Sequence, residues 1–404
     1  MNKKLSLGVT IGLMALTAAV TFIITYNYSL GVFNEKVKSV SEKEGFYTKL
    51  AEIDKYVRAN YFTDFNEDDL LNGIIKGYIS GLDDPYAKYY SEEEYATLVE
   101  KETGVATGLG FNYEREESGY IVITDVTEST SAADRGLVAG DVITAVNNTD
   151  VIAFEGGYDA AVKLFTCAEG TKVKLHIKRI TSDGIAEFFS IDVISSTTEI
   201  VSVTSHMIDT RGYIKISAFN DKTPEQFKAQ LDTILSQGAT SLILDLRGNS
   251  SNRVSAMGDT VDYLLGAGQI VTAKYKDKSE VIVETTEANQ VKLPMVVLVD
   301  NNTASCGELF AFALRDNAGA QTVGMTTYGK GVMQVTNKLK DGSAVRISVA
   351  VLHTEKSGNF NGVGMKPQFE VALPPDVTLS DLTEENHDRD TQLQKAIEVA
   401  DTIQ

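Results

Sequence analysis

A chain of 404 residues, 43% hydrophobic and 23% charged, is long enough for two or three domains, each with its own core. Its net charge of −19 excludes nucleic acid as a main partner, since a polyanion would be repelled. Two cysteines, Cys167 and Cys306, are too few for a disulfide framework and are expected as free thiols.

Lys3 and Lys4 precede a stretch without a charged residue until Glu35. Its core, Leu5 to Tyr26, reaches the roughly 20 apolar residues that a membrane span needs. With the lysines held in the cytoplasm, this predicts residues 1–34 as a cytoplasmic tip and single-pass membrane anchor, with everything after Glu35 extracytoplasmic. A cleaved signal peptide is the competing reading. Residues 35–100 read as a charged stalk followed by a small helical region. Phe46, Leu50, Ile53 and Val57 recur at helical spacing, and Leu70, Leu71, Ile74, Ile75 and Ile79 mark a helix over Glu67 to Ser80. Gly81-Leu82-Asp83-Asp84-Pro85 breaks it, and a short acidic helix around Ser91 to Lys101 follows.

From Thr103 the pattern turns to short β-rich runs. Gly108-Leu109-Gly110-Phe111 precedes the strand Tyr120 to Thr124, then Gly136-Leu137-Val138-Ala139-Gly140-Asp141, a helix near Gly157 to Phe165, and an alternating strand from Thr171 to Arg179. Residues 101–195 thereby resemble a PDZ domain. The resemblance implies that Gly108, Leu109, Gly110 and Phe111 bind the C-terminal carboxylate of a peptide. Glycines let backbone N–H groups converge on an anion, and the peptide then adds as a strand to an open sheet edge.

Residues 196–375 carry a different signature. Thr223-Pro224-Glu225-Gln226 predicts a helix start capped by Thr223, with Phe227, Leu231, Ile234 and Leu235 as its buried face. Leu242 to Leu246 and Pro294 to Val299 are near-continuous apolar runs suited to strands covered on both faces. Helices are expected over Val254 to Leu265 and Ser305 to Arg315, so the order implies α/β architecture. Residues 376–404 are expected to close the chain with a helix from Asp390 to Ile403. The fold class is thus multi-domain α/β: membrane helix, helical region, β-rich PDZ domain and α/β core.

Ser305 sits where a buried strand gives way to a helix, and a helix N-terminus offers unpaired N–H groups near a developing oxyanion. Serine needs a base. None of the four histidines, His176, His206, His353 and His387, lies in a recognisable catalytic context, and no Gly-x-Ser-x-Gly elbow surrounds Ser305. Lysine serves instead if burial brings it to the neutral form, and Lys330 lies between two glycines among small and apolar residues.

Residues 212–370 resemble the tail-specific, or C-terminal processing, peptidases of the S41 type, serine proteases with a Ser–Lys dyad. Thr303-Ala304-Ser305-Cys306-Gly307-Glu308 stands at the nucleophile motif, and Gly329-Lys330-Gly331-Val332-Met333-Gln334 at the base motif. Lys330 follows Ser305 by 25 residues, the family's usual spacing. Asp341-Gly342-Ser343-Ala344, Thr354 to Gly358, Gly364-Met365-Lys366-Pro367 and Leu82 to Tyr86 extend the match. The resemblance implies Ser305 as nucleophile, Lys330 as base, Gln334 as the residue that orients the lysine, and backbone N–H groups of Ser251 and Cys306 as the oxyanion hole. It implies protein or peptide substrates with accessible C-termini, no cofactor, and PDZ gating of activity. No metal-ligand spacing is present. The oligomeric state stays open, a homodimer included.

Three departures stand out. The family's Gly-Gly after its Leu-Arg-Gly-Asn-Pro is replaced by Ser251-Asn252, following Leu246-Arg247-Gly248-Asn249-Ser250. Cys306 and Gly307 replace Ala and Ser, and Gln368 replaces Asp. The oxyanion loop is therefore expected to diverge, which keeps a second reading open: a catalytically weak or inactive pseudoprotease acting as a PDZ-based scaffold. An enzyme acting on cell-wall peptides is a third. Cys306 as nucleophile is set aside for a small buried residue without a histidine partner.

Overall fold

The computed structural model describes residues 7–287, 291–382 and 388–403, and within 7–43 mostly the backbone alone. Lys3, Lys4, Leu5 and His387 lie outside the described residues.

The chain divides into two units, Met1–Ile74 and Ile75–Gln404. In the first, the expected stalk is not a separate element: one helix runs through Leu7–Asn60. No proline interrupts this stretch to end it. Among the described residues no helix is long and apolar enough to cross a membrane. The second helix, Glu67–Ser80, falls where its apolar spacing placed it, and its Glu67 is gripped by the Arg58 guanidinium at 2.5 and 2.8 Å.

In the second unit, the helix Glu92–Thr103 is fixed by a capping box between Ser91 and Glu94 and closed by Gly104 in the left-handed conformation. The sheet within residues 101–195 takes the order 111–115, 121–126, 142–146, 172–180, 186–194. Its inward faces bury Ile121, Ile123, Ile143, Leu175, Ile177 and Val193.

The core sheet is parallel through Arg211–Ile216, Ser241–Asp245, Met295–Val299, Gln321–Gly324 and Phe369–Glu370, with Val203–Ile208 antiparallel at one edge. Both faces are covered, which explains the unbroken apolar runs. Leu242 and Leu244 face the helices Thr223–Ser236, Val254–Asp262 and Cys306–Ala318. Ile243, Val296 and Leu298 face Leu393, Ala396 and Ala400 of the C-terminal helix Thr391–Thr402. The expected Thr223 cap did not form. Lys222 is the N-cap, and Gln226 instead spans to the Ser202 N–H and the Ile200 carbonyl at 2.8 and 3.0 Å.

A second sheet is built around one long strand, Ala344–Thr354, which pairs with Lys88–Tyr90, Gly268–Tyr275, Val332–Lys338 and Gly358–Asn359. The strand Lys88–Tyr90 precedes the helix Glu92–Thr103 and pairs with the long strand, whose other neighbour there, Val332–Lys338, closely follows Lys330 in the chain. A tight backbone turn over Asp84 and Tyr86 precedes it, with the Asp84 carboxylate accepting from the Tyr86 and Ser348 N–H groups.

Candidate active site

Three loops meet at the C-terminal ends of the parallel strands. The first leaves Ser241–Asp245 as Leu246 to Arg253, the second leaves Met295–Val299 as Asp300 to Ser305, and the third leaves Gln321–Gly324 as Met325 to Gly331. Ligand sites of open α/β sheets form at this edge.

Asp300 ties the first two together. Its carboxylate accepts from the N–H groups of Gly248 (2.9 Å) and Thr303 (2.8 Å). The Thr303 hydroxyl is 3.0 Å from the Leu246 carbonyl. Behind them, Arg247 is buried in a network with Asp245 and Asp390, joined by the Tyr213 hydroxyl at 2.6 Å.

Ser305 is the N-cap of the helix Cys306–Ala318, with φ 54° and ψ −112°. A non-glycine residue there costs of order 1–3 kcal/mol and persists only where its surroundings enforce it. Two contacts do so. The Ser305 N–H donates to Glu308 Oε2 at 2.9 Å, and Gly307 passes so close to the Asn249 carbonyl that an added Cβ would lie 2.6 Å from it. The result is a sharp strand-to-helix turn presenting the serine at the sheet edge, although only the Ser305-Cys306-Gly307 half of an elbow motif is written in the sequence.

Glu308 organises the third loop around this turn. Its fully buried carboxylate accepts from the Thr327 hydroxyl (2.5 Å) and from the N–H groups of Gly329 (2.7 Å) and Lys330 (2.8 Å). Glycine is required on both sides of Lys330. A Cβ on Gly329, at φ 85°, would lie 2.9 Å from the backbone nitrogens of Val363 and Gly364, and one on Gly331 would lie 2.7 Å from the Asn361 nitrogen. Motif reading quoted Glu308 but gave it no role, yet Ser305-x-x-Glu308 is a capping-box signature.

Lys330 Nζ and Ser305 Oγ donate to the same atom, Asn252 Oδ1, at 2.9 and 3.2 Å. The Lys330 amine lies over the Tyr86 ring, 5.1 Å from its centroid. Burial, and then the positive charge of Arg346, hold the Lys330 pKa below the usual lysine range. The Cys306 thiol is buried, and burial pushes its pKa up to about 12, which leaves it an inert thiol. His176 is bonded to Ser190 and Asn148 in the PDZ sheet, His206 packs on Tyr213, and His353 lies in the strand ladder.

Two of the expected contacts are not present among the described residues. Gln334 does not bond Lys330: its amide donates to the Tyr86 carbonyl at 2.7 Å. A register shift lies between Met333 and Gln334 in this strand. Gln334 therefore holds the backbone of the residue whose ring covers the lysine. Nor do the N–H groups of Ser251 and Cys306 converge on an open point. That of Cys306 donates to the Ser251 carbonyl at 3.1 Å, and that of Ser251 to Asn249 Oδ1 at 3.3 Å.

In the PDZ domain, Leu109 is buried and Gly110 takes φ 82°, where an added Cβ would lie 2.5 Å from the Thr130 side chain. Gly108 ends a strand paired with Ser196–Glu199, and Phe111 opens the next strand with its ring edge-on to Phe165 at 5.4 Å.

Family models match the chain in three successive segments. Peptidase family S41 matches residues 210–371, the PDZ domain family matches residues 98–178, and the N-terminal domain of the activating protease CtpB matches residues 14–94. The carboxy-terminal processing protease CtpA of Bacillus subtilis is 31% identical over 378 residues, 93% of this chain and 78% of that protein. A CtpA-like serine protease of Staphylococcus haemolyticus is 28% identical over 92% of this chain and 72% of its own length. Among solved structures, a photosystem II D1 C-terminal processing protease aligns with 80% of this chain and 88% of its own, at 23% identity and a TM-score of 0.45. The chain belongs to peptidase family S41, as a C-terminal processing serine protease with a PDZ domain.

Proposed function

We propose that the peptidase works through a Ser305–Lys330 dyad, outside the cytoplasm and tethered to the membrane by its N-terminal segment. The carrying observation is that Ser305 Oγ and Lys330 Nζ meet on one atom, Asn252 Oδ1. The two groups therefore flank one acceptor, and direct proton transfer needs that atom to leave and the two to close on each other. Neutral Lys330 takes the Ser305 proton as Oγ attacks the scissile carbonyl, then returns it to the leaving amine. Water hydrolyses the acyl-serine with the same lysine as base. Glu308 sets the backbone of both residues, and Gln334 holds the backbone of Tyr86, whose ring lies beside the amine. The PDZ loop Gly108 to Phe111 takes the carboxylate of a substrate or activator C-terminus, with an apolar side chain beside Phe111 and Phe165.

This mechanism has a pH signature. Only unprotonated Lys330 is a base, so kcat/KM rises with pH through its pKa, which lies below the ordinary 10.5. Arg346→Gln removes a positive charge that favours the neutral amine, so the rising limb moves to higher pH. The assay is cleavage of an unfolded protein with an apolar C-terminus, beside its C-terminally amidated form, which is cleaved more slowly. A limb that stays in place in the variant contradicts Lys330 as the base.

Support for the tether comes from the sequence: two lysines and then no charge until Glu35. The full-length chain is expected to stay with membranes through alkaline carbonate washing and to be released by detergent. Release by carbonate alone contradicts the tether.

A further inference from the structure

Of the contacts around the candidate dyad, those of the loop Asn249 to Asn252 do not suit a site ready to react. Asn252 Oδ1 lies between the two groups that must exchange a proton. The Ser305 hydroxyl proton points to this amide oxygen, and the lysine spends an N–H on the same atom. Both backbone donors expected at the oxyanion are also consumed within the loop. Cys306 donates to the Ser251 carbonyl, and Ser251 to Asn249 Oδ1.

The loop is locked in this position by side chains. The Ser251 hydroxyl donates to Asn249 Oδ1 at 2.8 Å and accepts from the Phe219 N–H at 2.7 Å. Asn249 is fully buried, with its amide on the Ile216 carbonyl at 3.0 Å and its own carbonyl accepting from the Ala304 N–H. Glycine at 251 and 252 would remove both the clamp on Phe219 and the plug on the dyad. Beside the loop, a cavity of about 270 Å³ is lined by Leu98, Ile200, Ala218, Phe219, Ser251 and Asn252.

We infer that Ser251 and Asn252 form a latch that holds this protease inactive until a peptide strand opens it. The inference rests on the Ser305–Lys330 reading. A substrate strand laid along Ser217 to Phe219 competes with the Ser251 hydroxyl for the Phe219 N–H, and its side chain enters the adjoining cavity. Losing that bond frees the loop to rotate. Asn252 then leaves the dyad, and the Ser251 carbonyl releases the Cys306 N–H to an oxyanion. Docking and activation are thus one event at the same backbone group.

The test compares kcat/KM for an unfolded protein substrate in the full chain, in Asn252→Gly, in Ser251→Gly and in Asn252→Asp, each also carrying Ser305→Ala as a control. Both glycine variants are expected to raise kcat/KM at least tenfold. Asn252→Asp keeps the plug and adds a charge that pairs with protonated Lys330. It lowers activity and moves the rising pH limb upward. Opposite signs at one position distinguish a latch from a merely structural asparagine. Glycine variants equal to or slower than the parent, with thermal stability retained, overturn the latch while leaving the dyad standing. Should Asn252→Gly unfold, Ser251→Gly alone decides by the same comparison. Activity that survives Ser305→Ala removes the dyad itself.

Discussion

Ser305→Ala and Lys330→Met each lower kcat/KM by at least about 10³-fold, because one removes the nucleophile and the other the base of the same step. The double variant is hardly worse than either single one, since the two act as a unit. Stability moves the other way for the lysine. Its depressed pKa means that the unfolded chain binds a proton that the folded chain resists, between the folded pKa and 10.5. Folding therefore gains stability as pH rises through that window, and below it the desolvated lysine is a cost. Lys330→Met is expected to keep or raise Tm at pH 7 while abolishing cleavage. A parallel loss of both would place Lys330 in the scaffold rather than in the chemistry.

Glu308→Ala is the largest expected loss of stability, roughly 3–5 kcal/mol. The carboxylate is fully buried and accepts from the N–H groups of Ser305, Gly329 and Lys330 and from the Thr327 hydroxyl. Truncation leaves these donors unsatisfied and releases both the strained serine turn and the lysine loop. Activity falls with it by about 10²-fold, the scale of a misplaced catalytic group. Glu308→Gln preserves the volume but turns an amide donor toward donors, so it falls between the two. Denaturant unfolding and kcat/KM on the same samples check this. A Glu308→Ala protein with unchanged unfolding midpoint contradicts the role given to this carboxylate.

Local sequence carried the parts of this architecture that are locally encoded. The strands Ser241–Asp245 and Met295–Val299 are apolar because both their faces are covered, and the helix after Ser305 follows from its own spacing. The motifs around Ser305 and Lys330 were equally legible, since each is a turn whose glycines answer to nearby backbone. Features that depend on distant partners were not. The strand Ala344–Thr354 carries Arg346, Ser348 and His353, so its apolar run is only Val349 to Leu352, and pairing on both sides extends it into a long strand. Gln334 looked like a partner for Lys330, but its contact is with Tyr86, 248 residues away. Gln226 matched a cap and was drawn off by Ser202. Loss of the expected glycines at 251 and 252 was visible in the chain. What their replacements bond to was not, because Phe219 and Lys330 reach them only in the fold.

Intact-protein mass spectrometry after acylation with a β-lactone, in the parent chain with unfolded protein substrate present and in Asn252→Gly, tests the Ser305–Lys330 dyad most directly. One adduct is expected, mapped to Ser305, forming faster as pH rises and absent from Lys330→Met. An adduct on Cys306 or on any other residue, or one on Ser305 that forms undiminished without Lys330, would contradict the dyad.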